Sequence, residues 1–171
     1  VLTAAHCGYA TNAHIVEIDG ISYPAPEHLY HPAYQGWIDS LDPVAREHDV
    51  MLLFTTDTLP PPYMGNRFYD SSKAGVCTGL IAQGWGDEGD PEAPNILRES
   101  SYLVTEERDR TLVTEQATPG SVCYGDSGGP LYAVIGSEVY LAGTTSTGVC
   151  NAGSIHIKTS AFISWIRAGI R

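Results

Sequence analysis

Apolar and β-branched residues fall in short runs along the chain rather than in long helical stripes. His14-Ile15-Val16-Glu17-Ile18 and Val50-Met51-Leu52-Leu53-Phe54 read as strands. Further segments of strand character follow at 79–83, 102–105, 111–115, 131–135, 138–145 and 154–158. Between the first two strands, Tyr30-His31-Pro32-Ala33-Tyr34 and the stretch through Asp42-Pro43 read as loop and turn. Turn-forming clusters such as Gly86-Asp87-Glu88-Gly89-Asp90-Pro91 separate most of the later runs. Residues 57–75, where Pro60-Pro61-Pro62 is followed by Gly65, Asn66, two serines and Gly75, form the candidate interdomain linker. Only the tail has helical spacing, with Ile163, Ile166 and Ile170 recurring beside Trp165 and Ser160 as the expected cap. Short strands at regular intervals predict an all-β barrel or sandwich.

Composition narrows this picture. At 171 residues the chain has room for one domain or two small ones. A hydrophobic fraction of 43% against 17% charged belongs to a folded globular protein rather than a disordered one. Eighteen glycines, eleven prolines and ten tyrosines fit many turns between short strands. The net charge of −11, from 20 acidic and 9 basic residues, leaves no basic surface for nucleic acid and reads as the solubilising charge of a secreted protein. No apolar run reaches membrane-spanning length, and no signal peptide is visible. The sequence opens directly on the β-type run Val1-Leu2-Thr3-Ala4-Ala5, which reads as a fragment lacking its upstream part.

Gly125-Asp126-Ser127-Gly128-Gly129-Pro130 carries the strongest chemical signal. A serine hydroxyl is a poor nucleophile until a base takes its proton, and its attack on a carbonyl creates an oxyanion that needs fixed donors. Glycines around the serine permit the backbone angles that aim two amide N–H groups at one spot, here those of Gly125 and Ser127. The same residues match the Gly-x-Ser-x-Gly elbow of α/β-hydrolases. That elbow opens a helix, whereas Pro130 and Leu131-Tyr132-Ala133-Val134-Ile135 favour a strand. The hydrolase order of serine, acid, histidine also fails, because Glu138 is the only acidic residue downstream of Ser127. The order available is His6, Asp49, Ser127.

Four blocks, Leu-Thr-Ala-Ala-His-Cys at 2–7, His-Asp-Val-Met-Leu-Leu at 48–53, Gly-Trp-Gly at 84–86 and Gly-Asp-Ser-Gly-Gly-Pro at 125–130, occur in this order. Together with the weaker Trp165-Ile166, they resemble the chymotrypsin/trypsin family of serine proteases. The resemblance implies two six-stranded antiparallel Greek-key barrels, the first incomplete here, and a C-terminal helix. It divides the chain into 1–56, carrying the histidine and aspartate, a linker at 57–75, and a second barrel at 76–171. It implies that His6 takes the Ser127 proton and returns it to the leaving amine, while Asp49 fixes the imidazole tautomer.

By the same resemblance, Ser121 floors the primary specificity pocket, where trypsin-like members carry Asp. A neutral floor disfavours Lys and Arg, because a buried unpaired cation is costly. Val122, Tyr124, Ser146, Thr147 and Gly148 complete the substrate-binding set. Ser146 is expected to pair with substrate backbone, and Gly148 leaves the pocket mouth open. A large apolar or aromatic residue before the scissile bond is the implied preference, with an elastase-like preference as the alternative. A disulfide between Cys123 and Cys150 is implied, and with it an oxidising, extracellular compartment. Asp126 corresponds to the carboxylate that pairs with an N-terminus freed on activation. With the segment carrying that terminus absent, Asp126 is expected to be buried without its partner, and the 171 residues alone to be inactive or poorly active.

No cofactor and no metal are expected. The remaining histidines, His14, His28, His31, His48 and His156, read as structural, with His28 and His31 on a surface loop. The acidic cluster at Asp87, Glu88, Asp90 and Glu92 reads as a solvated turn. Partners are a polypeptide substrate and proteinaceous inhibitors, bound by a monomer. The alternative function is a non-catalytic homologue serving as a binding module.

Overall fold

The computed structural model describes residues 1–8, 13–36, 46–61, 67–69, 79–86, 96–118, 120 and 122–170. The C-terminal part is a closed six-stranded antiparallel barrel made by β7 (Gly79–Gly84), β8 (Arg98–Glu107), β9 (Thr111–Gln116), β10 (Pro130–Ile135), β11 (Glu138–Gly148) and β12 (Ser154–Lys158). Strands follow the order β10-β7-β8-β9-β12-β11, and pairing of β10 with β11 closes the ring. Leu80, Tyr102, Leu112, Leu131 and Ala133 point inward and fill it. Along β8 the burial alternates with the period of two that a half-buried strand requires.

The N-terminal part is an open set of strands. β1 (Leu2–Thr3), β5 (Met51–Phe54) and β4 (Glu27–Tyr30) form one sheet in the order β1-β5-β4, while β2 (His14–Ile18) and β3 (Ile21–Ala25) form a hairpin. Ala5, Ala25, Met51 and Leu53 pack into its small core. The all-β class, the closed barrel and the C-terminal helix agree with the sequence reading.

Several local expectations are corrected. The run Val1–Ala5 is a strand only at Leu2–Thr3, and Ala5–Gly8 then winds into one 3₁₀ turn that presents His6. Tyr30 and His28 belong to strand β4 rather than to a loop. Within the expected linker, Arg67–Phe68 forms β6, which pairs in parallel with Tyr140 and Leu141 of β11. The helix α1 spans Thr159–Gly169 with Lys158, not Ser160, at its N-cap. The Thr159 hydroxyl instead donates to the Leu141 carbonyl at 2.8 Å. Its buried face is Phe162, Ile166 and Gly169, while Ile170 lies at its end and is 64% exposed. That face lands on Val50 and Leu52, so the terminal helix joins the open strands to the barrel through one apolar cluster with Ile157.

Candidate active site

The Asp49 carboxylate sits at the seam between the two strand sets and is 3% exposed. Three donors satisfy it. The His6 backbone N–H donates to Oδ1 at 2.8 Å, the His6 Nδ1–H to Oδ2 at 2.7 Å, and the Ser146 hydroxyl to Oδ2 at 2.6 Å. Two of these come from the 3₁₀ turn and one from β11 across the seam. A buried carboxylate so held fixes both the rotation of the imidazole and the nitrogen that carries its proton. Burial pulls the His6 pKa down, but the hydrogen bond to Asp49 and its charge, with the Cys7 sulfur adding to both, push it up to about 9. Ser146, expected to contact substrate backbone, thus has its side chain engaged on Asp49.

Ser127 occupies a tight turn between Cys123 and β10. Gly125 and Gly128 take φ of 97° and 78°, angles that side-chain-bearing residues adopt only under strain. Asp126 N–H donates to the Cys123 carbonyl, Gly129 N–H to the Asp126 carbonyl, and Gly128 N–H to the Thr145 carbonyl. The N–H groups of Gly125 and Ser127 enter none of these bonds. Gly128 also lies against the Thr3 hydroxyl and the Ala4 nitrogen with no room for a Cβ, and the Cys7 thiol stands 3.5 Å from the Ser127 carbonyl. Close backbone approach therefore ties the serine turn to the strand that leads to His6.

His6 and Ser127 line one cleft of about 420 Å³. Its walls are Val122, Cys123 and Tyr124 on one side and Ser146, Thr147 and Gly148 on the other. The Cys123–Cys150 disulfide joins the walls. Closing a loop with a sequence separation of 27, it stabilises the fold by roughly 3–4 kcal/mol. A Cβ on Gly148 would come within 3.1 Å of Val122 and 3.2 Å of Ser154, so glycine there lets both side chains pack closely against β11. Tyr124 is 83% exposed and stands at the rim. Ser121 lies outside the described residues, as does the acidic cluster at 87–92.

Asp126 points away from the cleft. The Gly86 N–H donates to its Oδ1 at 2.7 Å and the Cys123 N–H to its Oδ2 at 2.9 Å, so this buried carboxylate has two amide partners rather than none. Its oxygens fill the space that Cβ atoms would need at Gly84 and Gly86. The Gly-Trp-Gly block is thereby explained as a mould around a carboxylate.

His156 is fully buried in the barrel, within hydrogen-bond distance of the Ser154 hydroxyl at 2.7 Å and the Thr145 hydroxyl at 3.3 Å. Burial pushes its pKa down to about 3, so it stays neutral. His28 turns toward His14 and Tyr30, whereas His31 stacks on His48, so the two do not share a site. Among the described residues, no three His, Cys, Asp or Glu stand close enough to hold a metal ion. The contact of Gly128 with Thr3 and the mould around Asp126 were missed in the sequence. Only the positions of the glycines hinted at them.

A protein-family model described as trypsin matches residues 1–166. The structure is also similar to that of neuropsin, a serine protease expressed in the limbic system of mouse brain. The TM-score is 0.73 at 22% sequence identity, covering 98% of this chain and 82% of that one. At this identity the likeness is one of fold.

Proposed function

The chain belongs to the trypsin family of serine endopeptidases, and from that premise we propose that it hydrolyses peptide bonds with Ser127 as nucleophile, His6 as general base and Asp49 orienting His6. The observation that carries this reading is His6, bonded to buried Asp49 on one ring nitrogen while lining the same cleft as Ser127. The Ser127 hydroxyl attacks the scissile carbonyl as His6 takes its proton. Asp49 stabilises the imidazolium so formed, and the Gly125 and Ser127 amides receive the oxyanion. Collapse of the tetrahedral intermediate passes the proton from His6 to the leaving amine and leaves an acyl-enzyme. Water, deprotonated by His6, then releases the acid and restores Ser127.

The acyl-side residue enters the cleft beside Ser127 that Val122, Ser146 and Gly148 line. With Ser121 as a neutral floor and Gly148 leaving room, that residue is large and apolar or aromatic. Residues 1–56 and 76–171 act as the two halves of the enzyme, with 57–75 between them. The enzyme is secreted and monomeric, and proteinaceous inhibitors that present an extended loop fit the same cleft.

A fluorophosphonate probe tests the chemistry. Labelling that disappears in Ser127→Ala is expected, and its rate rises with pH as His6 loses its proton. A folded and processed protein that is not labelled overturns the assignment and leaves a non-catalytic binding module, and labelling that survives Ser127→Ala overturns Ser127 as the nucleophile. Peptide esters with Phe or Tyr before the cleaved bond should exceed those with Arg or Lys in kcat/KM by at least about 10²-fold, because an unpaired cation loses its hydration in a neutral pocket. A preference for Ala or Val instead selects the elastase-like alternative.

A further inference from the structure

Next to Asp49 in the chain, at His48, four rings from three segments meet. His31 follows β4, His48 immediately precedes Asp49, and Phe162 and Trp165 come from α1. The His31 and His48 rings stack with centroids 5.0 Å apart and planes 19° from parallel. Phe162 and Trp165 meet His31 edge-on at 5.0 and 5.2 Å, and Phe162 meets His48 at 6.1 Å. The backbone around Asp49 is threaded through this cluster. The His31 N–H donates to the Val50 carbonyl, the Val50 N–H to the His48 carbonyl, and the Asp49 N–H to the Arg46 carbonyl. The ring stack therefore grips the residues on both sides of Asp49 and holds them against the terminal helix.

The grip is built for uncharged rings. His31 Nδ1 accepts the Ala33 N–H at 3.2 Å, so the neutral ring carries its proton on Nε2. A second proton must go to Nδ1 and so abolishes that bond. Among the described residues, the charged groups acting on the pair are Arg110, from the turn between β8 and β9, and Glu47, from the segment before Asp49. Those two are already paired with each other at 3.3 Å. From α1 the pair receives aromatic rings rather than counter-charge. Burial lowers the pKa of both histidines. His31 is lowered further by the charges of His48 and Arg110, and His48 by Arg110, against a smaller upward pull from Glu47. Proton uptake would set two cations face to face beside a third, with one carboxylate among them.

We propose that the His31–His48 stack is a positioning device for Asp49 that lets go when its rings are protonated, so that mildly acidic medium displaces Asp49, beyond protonating His6, before the fold is lost. This rests on the assignment of His6, Asp49 and Ser127 as the catalytic residues. Both rings are neutral above their ordinary pKa of 6.5. As pH falls below that value, the open arrangement binds protons that the closed one resists, and the balance shifts toward opening.

The test is the acid limb of kcat/KM on a chromogenic peptide substrate, followed from pH 9 down to pH 4.5. Protonation of His6 alone removes activity about tenfold per pH unit. Opening of the stack makes the limb steeper below pH 6, toward a hundredfold per unit or more. In His31→Phe/His48→Phe, where the rings remain but cannot titrate, the limb returns to tenfold per unit. Arg110→Gln keeps the stack and removes the repelling cation, so its limb is also shallower. It carries the test if the double variant does not fold. Limbs of equal steepness in the parent and in a folded variant overturn the proposal. Ring proton resonances of His31 and His48, followed in Ser127→Ala, report the opening without any turnover. If they titrate together and Asp49 shifts with them while probe labelling of the parent protein fails, the positioning device stands and the catalytic assignment falls. If they titrate singly with no effect on Asp49, the device falls alone.

Discussion

The closed barrel and the open strand set ahead of it hold their reactive residues in opposite ways. In the barrel, Ser127 sits on a turn pinned by Thr145 and Gly129 of the same unit, and its supports run from one strand of a closed ring to the next. Asp49 and His6 stand beside five short strands that, among the described residues, do not close. To the bonds they make with each other they add supports from outside. Ser146 donates from β11, Gly128 abuts Thr3, and α1 covers Val50 and Leu52. One half is rigid by its own topology, and the other is rigid where the first half touches it. Activity should thus be most sensitive at the contacts between them.

Three perturbations sharpen the contrast. The largest effect is expected for Asp49→Asn, which keeps the shape of the borrowed site but favours the wrong imidazole tautomer. The kcat should fall about 10⁴-fold with little change in KM, as steady-state kinetics will show. Next is Phe162→Ala, which empties the contact between α1 and the open strands at a cost of about 3–5 kcal/mol. Hydrogen exchange should quicken first at β1 and β5 and leave β7 to β10 protected. Uniform quickening would mean that the two halves are held equally.

The smallest concerns the barrel alone. His156 has a native pKa lowered from 6.5 to about 3, so the unfolded chain binds its proton first as pH falls. Its contribution is complete above 6.5 and declines between 6.5 and about 3, by about 1.4 kcal/mol per pH unit. Denaturant titrations of the parent and His156→Gln at pH 6.5 and 4 should show that slope only in the parent.

The barrel was legible because its strands contain runs of β-branched and apolar residues, a signal that needs no tertiary context, although β8 extends on both sides of the run at 102–105 through polar residues. β4 was hidden because Glu27-His28-Leu29-Tyr30 alternates weakly and runs into His31-Pro32, so its strand character comes from pairing with β5. The helix was visible in its period, but its buried face was misjudged. Gly169 is set by the room Leu52 leaves and Phe162 by the cluster it joins with Val50 and Leu52, which no local pattern encodes. At the site, the residues that do chemistry stand inside compact motifs. Ser146 was noticed for its place in the cleft wall, but not for its hydroxyl, which serves a carboxylate that lies 97 residues away in the chain. The stack of His31 on His48 left no mark in the sequence, because two histidines apart in the chain become partners only once β4 and β5 pair.

β11 also has a consequence for anyone who wishes to retarget this cleft. Thr144, Thr145 and Ser146 are each 2% exposed and lock the strand to its neighbours and to Asp49, while Thr147, Gly148 and Val149 emerge into the recess. Val149 is 68% exposed. The strand is thus divided into a fixed stem and a variable tip, and the disulfide at Cys150 fastens the tip at its far end. Randomised libraries confined to positions 147 and 149 would explore new side-chain preferences on an intact scaffold, whereas diversity one step earlier would be spent on misassembled protein.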